Sequence, residues 1–131
     1  MRAGDARQRF QSDGMQSVSP ERLVILLYER VGRDLATARS GIVDGNAELR
    51  HRNLLHAQEI VEELAYAVRP ELWEAGERLV GLYVYILELL VKANIASDLH
   101  ALDEAAGLVE SLASAWREAY VALQEPDAGT A

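Results

Sequence analysis

Four stretches of this chain set apolar residues at alternating spacings of four and three, and that repeat constrains the fold more than any other feature. In the first, about Pro20–Ile42, the stripe is Val24, Tyr28, Val31, Leu35, Ala38 and Ile42. In the second, about 46–68, it is Leu54, Ala57, Val61, Leu64 and Val68. The third, about 71–94, carries Leu72, Gly76, Leu79, Tyr83, Ile86, Leu90 and Ala93. The fourth, about 98–123, carries Leu102, Ala105, Val109, Leu112, Trp116, Ala119 and Leu123. Each pattern winds one apolar seam along a helix. Four seams with short connections predict an all-α fold, an antiparallel up-down four-helix bundle about 35 Å long.

The punctuation between the stripes agrees. Ser19-Pro20-Glu21 reads as N-cap, first helical position and an acidic residue at the positive helix end. Asp44-Gly45-Asn46 predicts a turn, and Arg69-Pro70 breaks the chain. Asn94 suits a left-handed C-cap, and Ser97 or Asp98 caps the last helix. Residues 1–18 lack periodicity and read as a flexible arm, 19–124 as the bundle domain, and 125–131 as a disordered tail.

Composition narrows the function. A length of 131 residues is one domain. The chain has no Cys, which excludes a disulfide scaffold, thiol redox chemistry and thiolate-bound metal. The formal charge of −8 repels nucleic acid and anionic membrane. Residues 1–18 contain no apolar signal-peptide core, and the apolar run Leu82–Val91 is interrupted by Glu88. A cytosolic protein without membrane insertion is the expectation.

Chemistry-bearing residues are sparse. A carboxylate-bridged metal bundle needs two Glu-x-x-His motifs, and here His56 and Glu59 stand once, in reverse order. His51, His56 and His100 read as surface residues, and the carboxylates of Glu59–Leu64 as a solvated face. No phosphate loop or nucleophile motif occurs, so no enzyme activity, metal or cofactor is expected. Gly32, Gly76, Gly81 and Gly107 fall inside predicted helices, for close helix packing or for a partner lying against backbone. The strongest signal is surplus apolar surface. Helix one carries Leu23, Leu26 and Leu27 beyond its stripe, and helix three carries Leu82, Tyr85 and Leu89 beyond its own. The surplus reads either as a wide core stripe together with weak homodimerisation, or as a groove for an amphipathic partner helix.

Several segments in order resemble one family. The stretch "SVSPERLVILLYERV" resembles a signature of Ser-Pro-Glu followed by an apolar run ending Leu-Tyr-Asp-Gly-Ala. "HAQEIVEEL" (His56–Leu64) is similar to Lys-Ala-Gln followed by apolar pairs and Glu-Leu. "LYVYILELLVKAN" (Leu82–Asn94) is similar to Leu-Tyr-Asp-Tyr, a Leu-rich turn and Ala-Asn, and Trp116 matches a Trp of the last helix. The family is the flagellar export chaperone FliS, and the resemblance runs from about Phe10 to Tyr120. Glu29, Arg30 and Val31 replace Asp-Gly-Ala, Val84 replaces Asp, and Phe10 stands for a Tyr. These changes bear on client specificity rather than on the fold.

The resemblance implies a cytosolic, non-enzymatic chaperone. Its client would be the disordered C-terminal segment of flagellin, shielded from premature polymerisation and delivered to the cytoplasmic domain of the flagellar export gate. The expected client-binding residues are Phe10, Met15, Leu23, Leu26, Leu27, Leu82, Tyr85 and Leu89. Phe10 and Met15 are the large apolar side chains of the arm, which would cover the spare face until a client competes. The other function class is a structural bundle that uses that face to homo-oligomerise.

Overall fold

The computed structural model describes residues 18–72 and 74–124. They form α1 (Pro20–Asp44), α2 (Ala47–Ala67), a 3₁₀ turn (Pro70–Leu72), α3 (Gly76–Ala96) and α4 (Leu99–Gln124), with no strand among the described residues. α1 packs on α2 and α4, α3 packs on the same two, and neither diagonal pair meets backbone to backbone. This is the all-α four-helix bundle that the stripes predict. Residues 1–17 of the arm, with Phe10 and Met15, and the tail from 125 lie outside the described residues.

Local chemistry sets the ends. The Ser19 hydroxyl accepts the Arg22 N–H at 3.2 Å, and Pro20 opens α1. Gly45 closes α1 at φ +71°, a conformation that favours glycine, and its N–H donates to Gly41 and Ile42 carbonyls. Asn46 then caps α2 by accepting the Leu49 N–H at 3.0 Å. At Gly41 a Cβ would stand 2.7 Å from the Arg50 backbone nitrogen, so this glycine lets α1 and α2 converge at their turn. The left-handed cap of α3 falls on Ser97 (φ +49°) rather than Asn94, because the helix continues to Ala96. Asp98 then caps α4, accepting the Ala101 N–H at 3.0 Å.

The start of α3 differs most from expectation. Pro70 has no N–H to donate, the chain makes a single 3₁₀ turn, and the helix begins at Gly76 rather than near 71 with no side-chain cap at Ala75. Leu79 and Trp116 wall one hollow. Three residues back from Leu79 is Gly76, and three on from Trp116 is Ala119, so the last turn and a half of α4 has no α3 opposite it. The 3₁₀ turn packs on α3 and not on α4. Leu123, predicted inward, is therefore 68% exposed, and Ala119 is exposed as well.

The centre is largely apolar and contiguous. Val31, Leu35, Leu54, Ile60, Ile86 and Leu90 are fully buried in one cluster with Leu64 and Val109. Leu112 and Trp116 pack against it while remaining partly exposed. Tyr28 and Tyr83 meet across the diagonal, hydroxyl to hydroxyl, in the buried interior. Burial raises the pKa of both phenols, and the Trp116 indole also hydrogen-bonds Tyr28. Among the described residues one charged side chain is buried, Asp34, and it is answered on both oxygens. Arg30 donates to Oδ1 at 3.2 Å, and His56 Nδ1 lies 2.5 Å from Oδ2. His56 is thus no free surface histidine: it ties α2 to α1.

Candidate functional site

The late start of α3 leaves an opening where α1 begins, α2 ends and α4 overhangs. Val24, Leu64, Ala67, Val68, Leu79, Tyr83 and Trp116 line a hollow of about 290 Å³ there, with Arg69 at its margin. A second hollow of about 200 Å³ shares Val24, Leu64 and Ala67 and continues past Pro20, Leu23, Leu27 and Glu63. Together they form one apolar cleft along the α1–α2 end of the bundle. Val24, Leu64, Val68, Leu79, Tyr83 and Trp116 come from the core stripes. Val24, Val68, Leu79 and Trp116 are only partly exposed, and the cleft exists because α3, whose missing first turns would cover them, begins too late.

The floor of this cleft is neutral. Tyr83 lies beneath it with its hydroxyl turned to Tyr28, and burial raises the pKa of both phenols above the ordinary tyrosine value. The margins carry charge of both signs, Arg69 and Glu63. Such a site can take apolar side chains of a partner and align polar groups at its edge. Nothing in it forms a nucleophile with a base. Among the described residues no three His, Asp or Glu side chains gather closely enough to hold a metal ion.

The residues singled out in the sequence are divided by the structure. Leu23, Leu27 and Leu89 are buried, Leu26 and Leu82 partly exposed, and Tyr85 exposed. Leu23 and Leu27 form part of the cleft wall. Tyr85 hydrogen-bonds Glu104 of α4, so it belongs to the α3–α4 seam, and Leu82 and Leu89 flank it one helical turn away on either side. These two sets are not brought into one groove. In a four-helix ring each helix has two neighbours, so a wide apolar stripe is consumed by the bundle itself. Val68, Leu79, Tyr83 and Trp116, which the sequence pattern places on the core stripes, are among those that line the opening. The signal available for them was Pro70 followed by residues with no capping side chain until Gly76.

Most interior glycines are not there for close packing inside the bundle. A Cβ at Gly32, Gly81 or Gly107 would meet nothing within 4 Å. α3 is also long and apolar enough to cross a bilayer by length and composition, which the interrupted run Leu82–Val91 understated. Its inner side instead packs Tyr83, Ile86, Leu89, Leu90 and Ala93 into the core.

Comparison with known proteins agrees with the geometry. A family model described as flagellar protein FliS matches residues 3–123. The flagellar secretion chaperone FliS of Bacillus subtilis (strain 168) is 28% identical over 110 residues, covering 84% of this chain and 82% of the relative. That of Escherichia coli (strain K12) is 28% identical over 135 residues, covering 96% of this chain and 99% of the relative. That of Campylobacter jejuni is 30% identical over 103 residues, covering 78% and 80%. With a match over nearly its whole length, the chain belongs to the FliS family of flagellar proteins.

Proposed function

We propose that this chain is a cytosolic, non-enzymatic chaperone for the C-terminal segment of flagellin. It holds that segment away from polymerisation and presents it to the cytoplasmic domain of the export gate. The observation that carries the reading is the apolar cleft at the end of a helical bundle whose relatives are named flagellar secretion chaperones. A disordered client supplies its own apolar side chains to such a cleft and becomes ordered as it binds. Ordering lowers affinity per unit area, which favours release at the next step. Phe10 and Met15 of the arm, with Leu26, Leu82, Tyr85 and Leu89, complete the proposed contact set.

Calorimetric titration of the full-length chain with a flagellin C-terminal peptide tests this. Saturable binding is expected, with a negative heat-capacity change and a gain in helical circular dichroism. Val68→Asp, which puts a carboxylate in the cleft, should weaken binding about tenfold or more. Absence of binding, or binding indifferent to Val68→Asp, overturns the assignment of the cleft. A chain that self-associates through the cleft and ignores the peptide would instead be a structural bundle.

A further inference from the structure

The outer side of α3 carries a surface that the cleft does not use. Val80, Gly81, Val84, Glu88, Val91 and Ile95 follow one another at spacings that keep them on one side of the helix, opposite the buried Ile86, Leu90 and Ala93. Val84, Val91 and Ile95 are 47%, 42% and 82% exposed, on the most apolar of the four helices. Gly81 lies near the start of this strip, at its edge, and no atom stands within 4 Å of where its Cβ would be. No helix of the bundle requires that glycine. What it provides is bare backbone toward the outside, where a second helix can come close.

Charge says what kind of helix. Glu77 and Glu88 stand on the same side, eleven residues or about 16 Å apart. Of the cations nearby, the one lysine, Lys92, is drawn toward Asp98, 3.9 Å away, Arg50 of α2 is held by Asn94 and Ser97 at the Ile95 end, and Arg78 follows Glu77 about 100° round the helix. A second copy of this chain would bring the same two carboxylates and a further charge of −8 against them. A foreign helix with an apolar stripe and lysine or arginine on its flanks meets both requirements. We propose that the outer side of α3 is a second docking surface, for a basic amphipathic helix of another protein. Ile95 sits at the far end of α3 from Leu79, so a helix laid along the strip leaves the end cleft open for its own occupant. The inference does not depend on what that occupant is.

The chain has no Cys, so single cysteines can report position in the full-length protein. An environment-sensitive dye is placed in turn at Val84→Cys, Leu123→Cys and Val43→Cys. The probe is a Leu/Lys amphipathic peptide of about 18 residues, long enough to hold a helix, with a Leu/Glu peptide of the same pattern beside it. A saturable response is expected at position 84 alone, from the Leu/Lys peptide alone. Glu77→Lys/Glu88→Lys should weaken that peptide about tenfold or more and admit the Leu/Glu peptide. Gly81→Leu should weaken it with the helix content of the protein unchanged. Equal responses at all three positions would mean general attraction to an acidic surface and overturn the proposal. So would no saturable response, indifference to the double substitution, or a concentration-dependent signal at 84 without peptide, which would make the occupant a second copy.

Discussion

Trp116→Ala is the substitution that best separates the core of this bundle from its open end. A tryptophan side chain sits near the top of the roughly 150–250 Å² that aromatic residues bury. Trp116 packs against the core while staying partly exposed, so about two-thirds or more of that surface, ~160 Å², is removed from water. At about 25 cal/mol per Å² this is ~4 kcal/mol, and residual compactness of the unfolded chain trims it to about 3. The hydrogen bond to Tyr28 adds at most about 1 kcal/mol, because Tyr28 keeps its bond to Tyr83. No cavity term is added, since the space vacated merges with an existing hollow open to solvent. Urea unfolding followed by circular dichroism should show a loss of about 3 kcal/mol with an unchanged slope. Trp116→Phe, which keeps a ring but no N–H, should lose about 1 kcal/mol. An unmoved midpoint for the alanine variant refutes the burial argument. A phenylalanine variant as damaged as the alanine one would show that the hydrogen bond, not the apolar contact, is what matters.

Other perturbations probe other parts of the same account. Ile86→Ala, at a fully buried site, should cost about 2–5 kcal/mol in the same unfolding assay. Gly81→Ala and Gly107→Ala should each stabilise by about 0.5–1 kcal/mol, because the added methyl meets nothing, whereas Gly41→Ala should destabilise by about 1–3 kcal/mol against the Arg50 backbone. Asp34→Ala should cost about 1–3 kcal/mol: the buried carboxylate disappears, but Arg30 and His56 can turn back to water. Tyr28 and Tyr83 have folded pKa values raised above the ordinary 10.0, so they stay protonated in the fold while the unfolded chain ionises. Their contribution is full below pH 10 and is lost as pH rises beyond it. The fall of stability in alkaline unfolding titrations should flatten in Tyr28→Phe/Tyr83→Phe.

Much of the fold is legible because it depends on local rules. The four seams, the Ser19 cap, the Gly45–Asn46 turn and the Asp98 cap each need only a few neighbouring residues. The cap at Ser97 and the exposure of Leu123 needed something else. Both depend on where α3 begins and ends, and a helix boundary beside a proline is decided by competition between a 3₁₀ turn and an uncapped α-helical start. The pairing of His56 with Asp34 was equally hidden, since twenty-two residues and a turn separate them.

The site shows the same division more sharply. Apolar residues beyond a seam read in the sequence either as a wide core stripe or as free surface; a seam in a closed ring faces two neighbours and widens accordingly, so Leu23, Leu27 and Leu89 are buried. Free apolar surface arises instead where helices fail to match in length. Val24, Leu64, Val68, Leu79 and Trp116 follow the core pattern without exception, and what makes them a cleft is the missing first turns of a neighbouring helix. In a bundle of this kind, a binding surface is therefore read less from an excess of apolar residues than from the breaks in the pattern of their neighbours. Here that break is Pro70, and extending α3 to meet α4 by replacing Pro70 with a helix former should close the cleft while leaving the core untouched.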